Sequence, residues 1–243
     1  MAQNHDDIRA QRANELRYLQ NFLNKTAKVK GLTALADAAT QCKREKPDGN
    51  EEQWAYSFAG LVFEPENLGQ ILPPDATNIR IELAMSVVGH CDPNPDPLNA
   101  LVADIVIKGQ RVVDNETVPL VFSWHIDRRK GELIEGNASE PLYHVQHAGS
   151  VMQGFGSSWG SAVFLEAPRL VHPPLNAFIA CDMILSNFLP KTRQKLALDG
   201  NYKKWLKQAQ RDMWKPYIEA ISSAWGDKPE EGPCRDFWPD LMI

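Results

Sequence analysis

"NIRIELAMSVVGHCDPNPDPLNALVADIVIKG", residues 78 to 109, contains two runs rich in Val, Ile, Leu and Ala on either side of a ten-residue segment with three prolines. Each run reads as a β-strand, because β-branched residues dominate and apolar positions alternate with polar ones over part of its length. The prolines between them fit neither a helix nor a central strand, so "HCDPNPDPLN" (90–99) is a loop. A parallel crossover needs roughly a dozen or more residues, usually with a helix of its own. So short and proline-rich a link joins antiparallel neighbours.

The same pattern extends outward. "WAYSFAGLVF" (54–63) precedes the pair and "VPLVFSWHI" (118–126) follows it. "PLYHVQHAG" (141–149) and "SAVFLEAPRL" (161–170) are further strand candidates, separated by the Gly- and Ser-rich "GSVMQGFGSSWGS". Before the strands, Ile8, Leu16, Leu19, Phe22 and Leu23 fall on one helical stripe within 6–30. Gly31 interrupts, "LTALADAATQCKRE" forms a second helical segment, and "KPDGNEE" ends it in turn chemistry. After Pro173 the helical period returns, and "NYKKWLKQAQRDMWKPYIEAISSAW" is a further helix that Pro216 should kink or break. Helices, then strands with short connections, then helices again, is the α+β order. The expectation is a single domain over 1–226, an antiparallel β-meander of five or six strands packed by N-terminal and C-terminal helices. A tail over 227–243 follows, in which Phe237 and Trp238 are apolar anchors for binding a surface.

Composition narrows the function classes. The chain has 243 residues, 43% of them hydrophobic, and a net charge of −5. That is enough apolar content for an ordinary core. The acidic balance opposes a grip on nucleic acid, which needs clustered Lys and Arg. No segment approaches the roughly 18–20 apolar residues of a membrane span, and the polar start "MAQNHDDIRAQR" lacks an apolar signal core. Cys42, Cys91, Cys181 and Cys234 are widely spaced, which fits neither a zinc framework nor a disulfide framework. The expectation is a cytoplasmic protein with reduced thiols, no membrane and no nucleic-acid partner.

Five of the six histidines lie between positions 90 and 172. In a strand, His125 and Asp127 of "HID" share a face, and His144 of "HVQH" can meet them across a hairpin. His147 is three residues beyond His144 and points to the opposite face. These side chains are candidates for binding or for hydrolysis on the sheet. The parity leaves at most three ligands together, so no metal and no cofactor is expected. "GSSWG" matches Gly-x-Ser-x-Gly by letter, but a strand follows it where a nucleophile elbow needs a helix.

"RLVHPPLNAFIACDMIL" (169–185) admits two readings. In the first, the prolines open a helix whose apolar face buries Cys181 as a small hydrophobe. In the second, "HPPLNAFIAC" resembles the active-site segment of ubiquitin-conjugating enzymes, in which His-Pro-Asn precedes a thioester-carrying cysteine by about ten residues. His172 and Pro173 match. Pro174 stands where the asparagine belongs, Asn176 comes two residues late, and Cys181 follows His172 by nine. The element order is also similar, and the "YH…PR…HPP…SNF" pattern resembles proteins that accompany bacterial ubiquitin-like conjugation systems. The resemblance implies catalytic roles for Cys181, His172 and Asn176. It also implies a protein partner, either a ubiquitin-like modifier or its activating enzyme. The displaced asparagine turns the expectation toward docking without thioester carriage. The alternatives are a His/Asp hydrolase on the sheet and a small apolar ligand held between the sheet and a C-terminal helix.

Overall fold

The computed structural model describes residues 4–44, 46–66, 68, 69, 73–129, 141–147, 152 and 169–223. In chain order the elements are α1 (His5–Leu23), β1 (Val29–Lys30), α2 (Thr33–Arg44), β2 (Gln53–Phe63), β3 (Thr77–His90), β4 (Leu98–Val113) and β5 (Glu116–Arg128). Then come β6 (Tyr143–His147), β7 (Leu170–Val171), α3 (Ala177–Phe188), α4 (Pro190–Leu196) and α5 (Gly200–Ser223). The strands form one antiparallel sheet in the order β1 to β7, so each strand pairs with its neighbours in sequence.

The expected class is present, but among the described residues the sheet has seven strands, more than the expected five or six. The difference lies at its edges. β1 and β7 are two residues each, too short to show any alternation. Val29–Lys30 lies within the helical period of 6–30, but the first helix stops at Leu23, with Asn24 as its C-cap. Of the strand candidate 161–170, only residues 169 and 170 are described. Pro216 does not end its helix: α5 continues past it to Ser223. One missing N–H does not break a helix whose next turn is packed, and Tyr217 and Ala220 are both buried. The connector "GSVMQGFGSSWGS", apart from Met152, the domain boundary at 226 and the tail with Phe237 and Trp238 all lie outside the described residues.

The alternation seen in the sequence separates the two faces of the sheet. On β3, Ile81, Leu83, Met85 and Val87 are buried, while Glu82, Ala84, Ser86 and Val88 point the other way. Tyr56 and Leu61 stand beside them on β2, and α1, α2 and α3 bring Leu16, Leu19, Leu35, Phe178 and Ile184 into the same core. Each large side chain so buried contributes about 1.5–3 kcal/mol. Phe22, Phe178 and Tyr202 meet edge to face or tilted, with centroids 5.3–6.1 Å apart, and tie α1, α3 and α5 together.

Local chemistry sets the register. Asp114 and Asn115, both at positive φ, form the two-residue turn between β4 and β5. The register of β2 on β3 shifts between Phe58 and Leu61, at a bulge containing Gly60 (φ +78°). Gly31 is required there: a Cβ on it would lie 2.0 Å from Gly60 O. The proline-rich loop between β3 and β4 is held by Asp96, which accepts from Arg128 Nη2 at 2.7 Å and from the Tyr143 hydroxyl. No helix among the described residues is long and apolar enough to cross a membrane.

Candidate functional site

Two groups of side chains stand out, one on each face of the sheet. The polar group grows out of the register. Asp104 on β4 lies opposite His125 on β5, and Asp127 on β5 lies opposite His144 on β6. His125 and Asp127 are two residues apart, so all four project from the same face. His125 Nδ1 is 2.7 Å from Asp104 Oδ1, and its Nε2 is 3.1 Å from Asp127 Oδ2. His144 Nε2 is 2.7 Å from Asp127 Oδ1, and its Nδ1 is 3.2 Å from Pro141 O. The result is a row of carboxylate, imidazole, carboxylate, imidazole.

The row is partly removed from water, with His144 only 1% exposed. Hydrogen bonds to Asp104 and then to Asp127 raise His125 to about 9, more than enough to offset its desolvation. Burial pushes the Asp127 carboxyl up, but the hydrogen bonds from His125 and His144 outweigh it and hold Asp127 well below the usual carboxylate range. All four ring nitrogens of the two histidines face oxygen acceptors. Neither ring therefore presents a nitrogen free of a protein partner to a substrate or a water. Among the described residues no three His, Cys, Asp or Glu side chains are placed to hold one metal ion. His147 pairs with Trp124 and lies on the opposite face, as strand parity requires.

That opposite face carries the second group. β4, β5 and β6 supply a floor of Ile105, Trp124, Ile126 and Val145, and α3 supplies Met183, Ile184 and Phe188 above it. Between them is a cavity of about 190 Å³, open on one side. Among the described residues, two polar side chains border it, His172 and Asn187. Trp124 and Phe188 lie with ring centroids 6.1 Å apart, tilted by 39°. His172 Nδ1 is 2.6 Å from Pro173 O, and burial lowers the affinity of its ring for a proton.

The three residues implied by the conjugating-enzyme resemblance do not assemble into one centre. His172 borders the cavity. Asn176 is the N-cap of α3: its Oδ1 accepts from Ile179 N at 3.0 Å, and its Nδ2 donates to Glu15 Oε1 at 2.6 Å. The backbone of the next residue, Ala177, donates to the Tyr56 hydroxyl at 2.9 Å. Asn176 thus joins the start of α3 to α1, and Glu15, raised by burial despite its Arg12 partner, is held in that joint. Cys181 is fully buried on the core side of α3. Burial and then the charge of Asp182 raise its thiol far above the ordinary value. Asp182 itself is engaged by Arg193 Nε at 3.1 Å and by the Tyr202 hydroxyl at 2.8 Å.

A wider depression between α1 and α5, about 520 Å³, is bordered by Arg12, Trp54, His90 and Asp212. Its central cation is already balanced: Arg12 lies 2.5 Å from Asp212 and 3.3 Å from Glu15, with Trp54 beneath it at 5.3 Å.

Residue-by-residue reading missed Asp104, Trp124, Met183 and Phe188. Asp104 had a signal, since it is the lone carboxylate in a mainly apolar strand, "ALVADIVIKG". The cavity residues had none, because an aromatic or a methionine at a core position has the same pattern whether or not a gap remains beside it. No protein-family model matches the chain, and neither a curated protein nor a solved structure matches it.

Proposed function

We propose that the protein binds a small, mainly apolar molecule in the cavity between the sheet and α3. The observation that carries this reading is the lining itself: apolar side chains from β4, β5, β6 and α3, with His172 and Asn187 as the polar neighbours among the described residues. A concave apolar pocket with a few convergent polar groups is the usual form of a ligand site. Its volume, about 190 Å³, sets the scale. An engineered cavity of about 150 Å³ elsewhere takes up benzene, so the ligand is one ring or a compact fused pair. The test is a thermal-shift and NMR titration of the full chain with small aromatics at millimolar concentration. Saturable binding should raise Tm and shift the resonances of Trp124 and Met183. Met183→Trp, which fills the space, should abolish both effects. Absence of saturable binding by any of them overturns the reading.

A second reading is docking of a ubiquitin-like modifier or its activating enzyme. It is supported by the order of elements: an N-terminal helix, an antiparallel meander, and a His-Pro segment leading into C-terminal helices on one face. The burial of Cys181 favours docking over carriage, since a carrier thiol must be reached by a protein-sized thioester. Titrating the labelled chain with a modifier and its activating enzyme tests it, and unchanged spectra at high micromolar concentration would count against it.

A further inference from the structure

We infer that the ligand of this cavity is a small aromatic molecule bearing a hydrogen-bond donor, a phenol or an indole, whose O–H or N–H is accepted by Nε2 of His172. The inference rests on the cavity reading above and adds the ligand's chemistry to it.

The chemistry follows from what the two polar neighbours have left to offer. His172 Nδ1 lies 2.6 Å from Pro173 O. A carbonyl oxygen only accepts, so the ring proton sits on Nδ1 and Nε2 carries the lone pair. Nε2 has no hydrogen-bond partner among the described residues. Desolvation disfavours a second proton on the ring, which keeps Nε2 an acceptor at neutral pH. Asn187 is oriented in the same way: its Nδ2 donates to Met183 O at 2.8 Å, so the amide oxygen is its unused acceptor. The His172 ring nitrogen and the Asn187 amide oxygen thus stand as unused acceptors on the two polar residues that border the cavity, and either can take a hydrogen bond from a ligand's polar end.

The walls specify the rest. Trp124 from the sheet and Phe188 from the helix both border the cavity and pack against one another, ring centroids 6.1 Å apart, so that they form one aromatic wall. Aromatic rings pack against one another in offset or tilted arrangements with a gain beyond area alone. The volume, about 190 Å³, accommodates one ring or a fused bicycle within the walls. A carboxylate-bearing ligand is disfavoured too, since no cation borders the cavity among the described residues.

The experiment compares phenol with anisole and toluene, and indole with N-methylindole, by calorimetric titration of the full chain. Phenol and indole should bind about 5- to 10-fold more tightly than their donor-free counterparts, the effect of one net hydrogen bond. His172→Phe keeps a ring but no acceptor, and should reduce that preference to near unity. His172→Gln restores an acceptor and should recover part of it. If toluene and anisole bind as well as phenol, the donor inference is overturned while the cavity reading survives. If His172→Phe keeps the full preference, His172 is not the acceptor and the inference fails. If none of these molecules binds, the cavity reading falls and the inference with it.

Discussion

Asp127 and His144 lie directly opposite one another on β5 and β6, with the Asp127 carboxylate bridging His144 Nε2 at 2.7 Å and His125 Nε2 at 3.1 Å. One carboxylate therefore holds two imidazoles, and Asp104 closes the row on the far side of His125. Cross-strand side-chain pairs stabilise a sheet, and here the row of hydrogen bonds joins β4, β5 and β6.

This row makes stability depend on pH. The folded-state value of His125, about 9, lies above the ordinary value near 6.5. Its contribution is present in full below about pH 6.5 and is lost as pH rises through about 9. Asp127 is shifted the other way, so its contribution is present above about pH 4 and is lost as pH falls below that. Urea midpoints measured between pH 6 and 10 should fall for the wild type and stay flatter for His125→Gln. Parallel curves would show that the row is not coupled to folding.

Asn176 should act through the joint between α3 and α1. Asn176→Ala removes the cap on Ile179 N and leaves the Glu15 carboxyl short of a donor, at a cost of about 1–3 kcal/mol. Asn176→Asp keeps a capping oxygen but sets a second carboxylate against Glu15. Its instability should be greater at pH 7 than at pH 4.5, where the pair can hold a proton. Denaturant melts of both variants at the two pH values would show this, and equal losses would argue against the Glu15 contact.

Gly89 should not tolerate a side chain. A Cβ there would stand 2.2 Å from Trp54 Cζ2, and Trp54 is itself anchored by donation from Nε1 to His90 O at 3.0 Å. Gly89→Ala should cost about 1–3 kcal/mol through overpacking. Combining it with Trp54→Phe should recover part of what the two changes lose separately. Strict additivity in that double-mutant cycle would mean that the two residues do not share this contact.

Cys181 and Cys42 should be silent in the native protein. Both are at 0% exposure, and burial raises Cys42 to about 12 and Cys181 further still. In a Cys234→Ser background, a thiol reagent at pH 8 should label neither until denaturant is added, while Cys91, nearer the surface, reacts first. Incubation with an activating enzyme, ATP and a ubiquitin-like modifier should yield no thioester. A DTT-sensitive adduct that Cys181→Ser removes would make Cys181 a carrier.

What could be read from the residues was whatever has a short period. Ile81, Leu83, Met85 and Val87 announce a two-sided strand within eight positions, and the prolines of 90–99 allow only a loop. The α+β class and the meander follow from these without any knowledge of contacts. The same parity placed His144 and His147 on opposite faces, because that depends on counting along one strand. The edge strands Val29–Lys30 and Leu170–Val171 were not legible, since two residues carry no period and are strands only by virtue of what they pair with. Asp104 meets His125 because the two-residue turn at Asp114–Asn115 sets the register ten residues away. The fate of "HPPLNAFIAC" depended on packing: the same letters suit an exposed reactive loop or a capped buried helix. Glu15, 161 residues distant in the chain, fixes the second by taking the Asn176 amide. The cavity beneath Met183 and Phe188 is the most remote from sequence of all, because a space is set by how far α3 stands from the sheet, and no single residue encodes that distance.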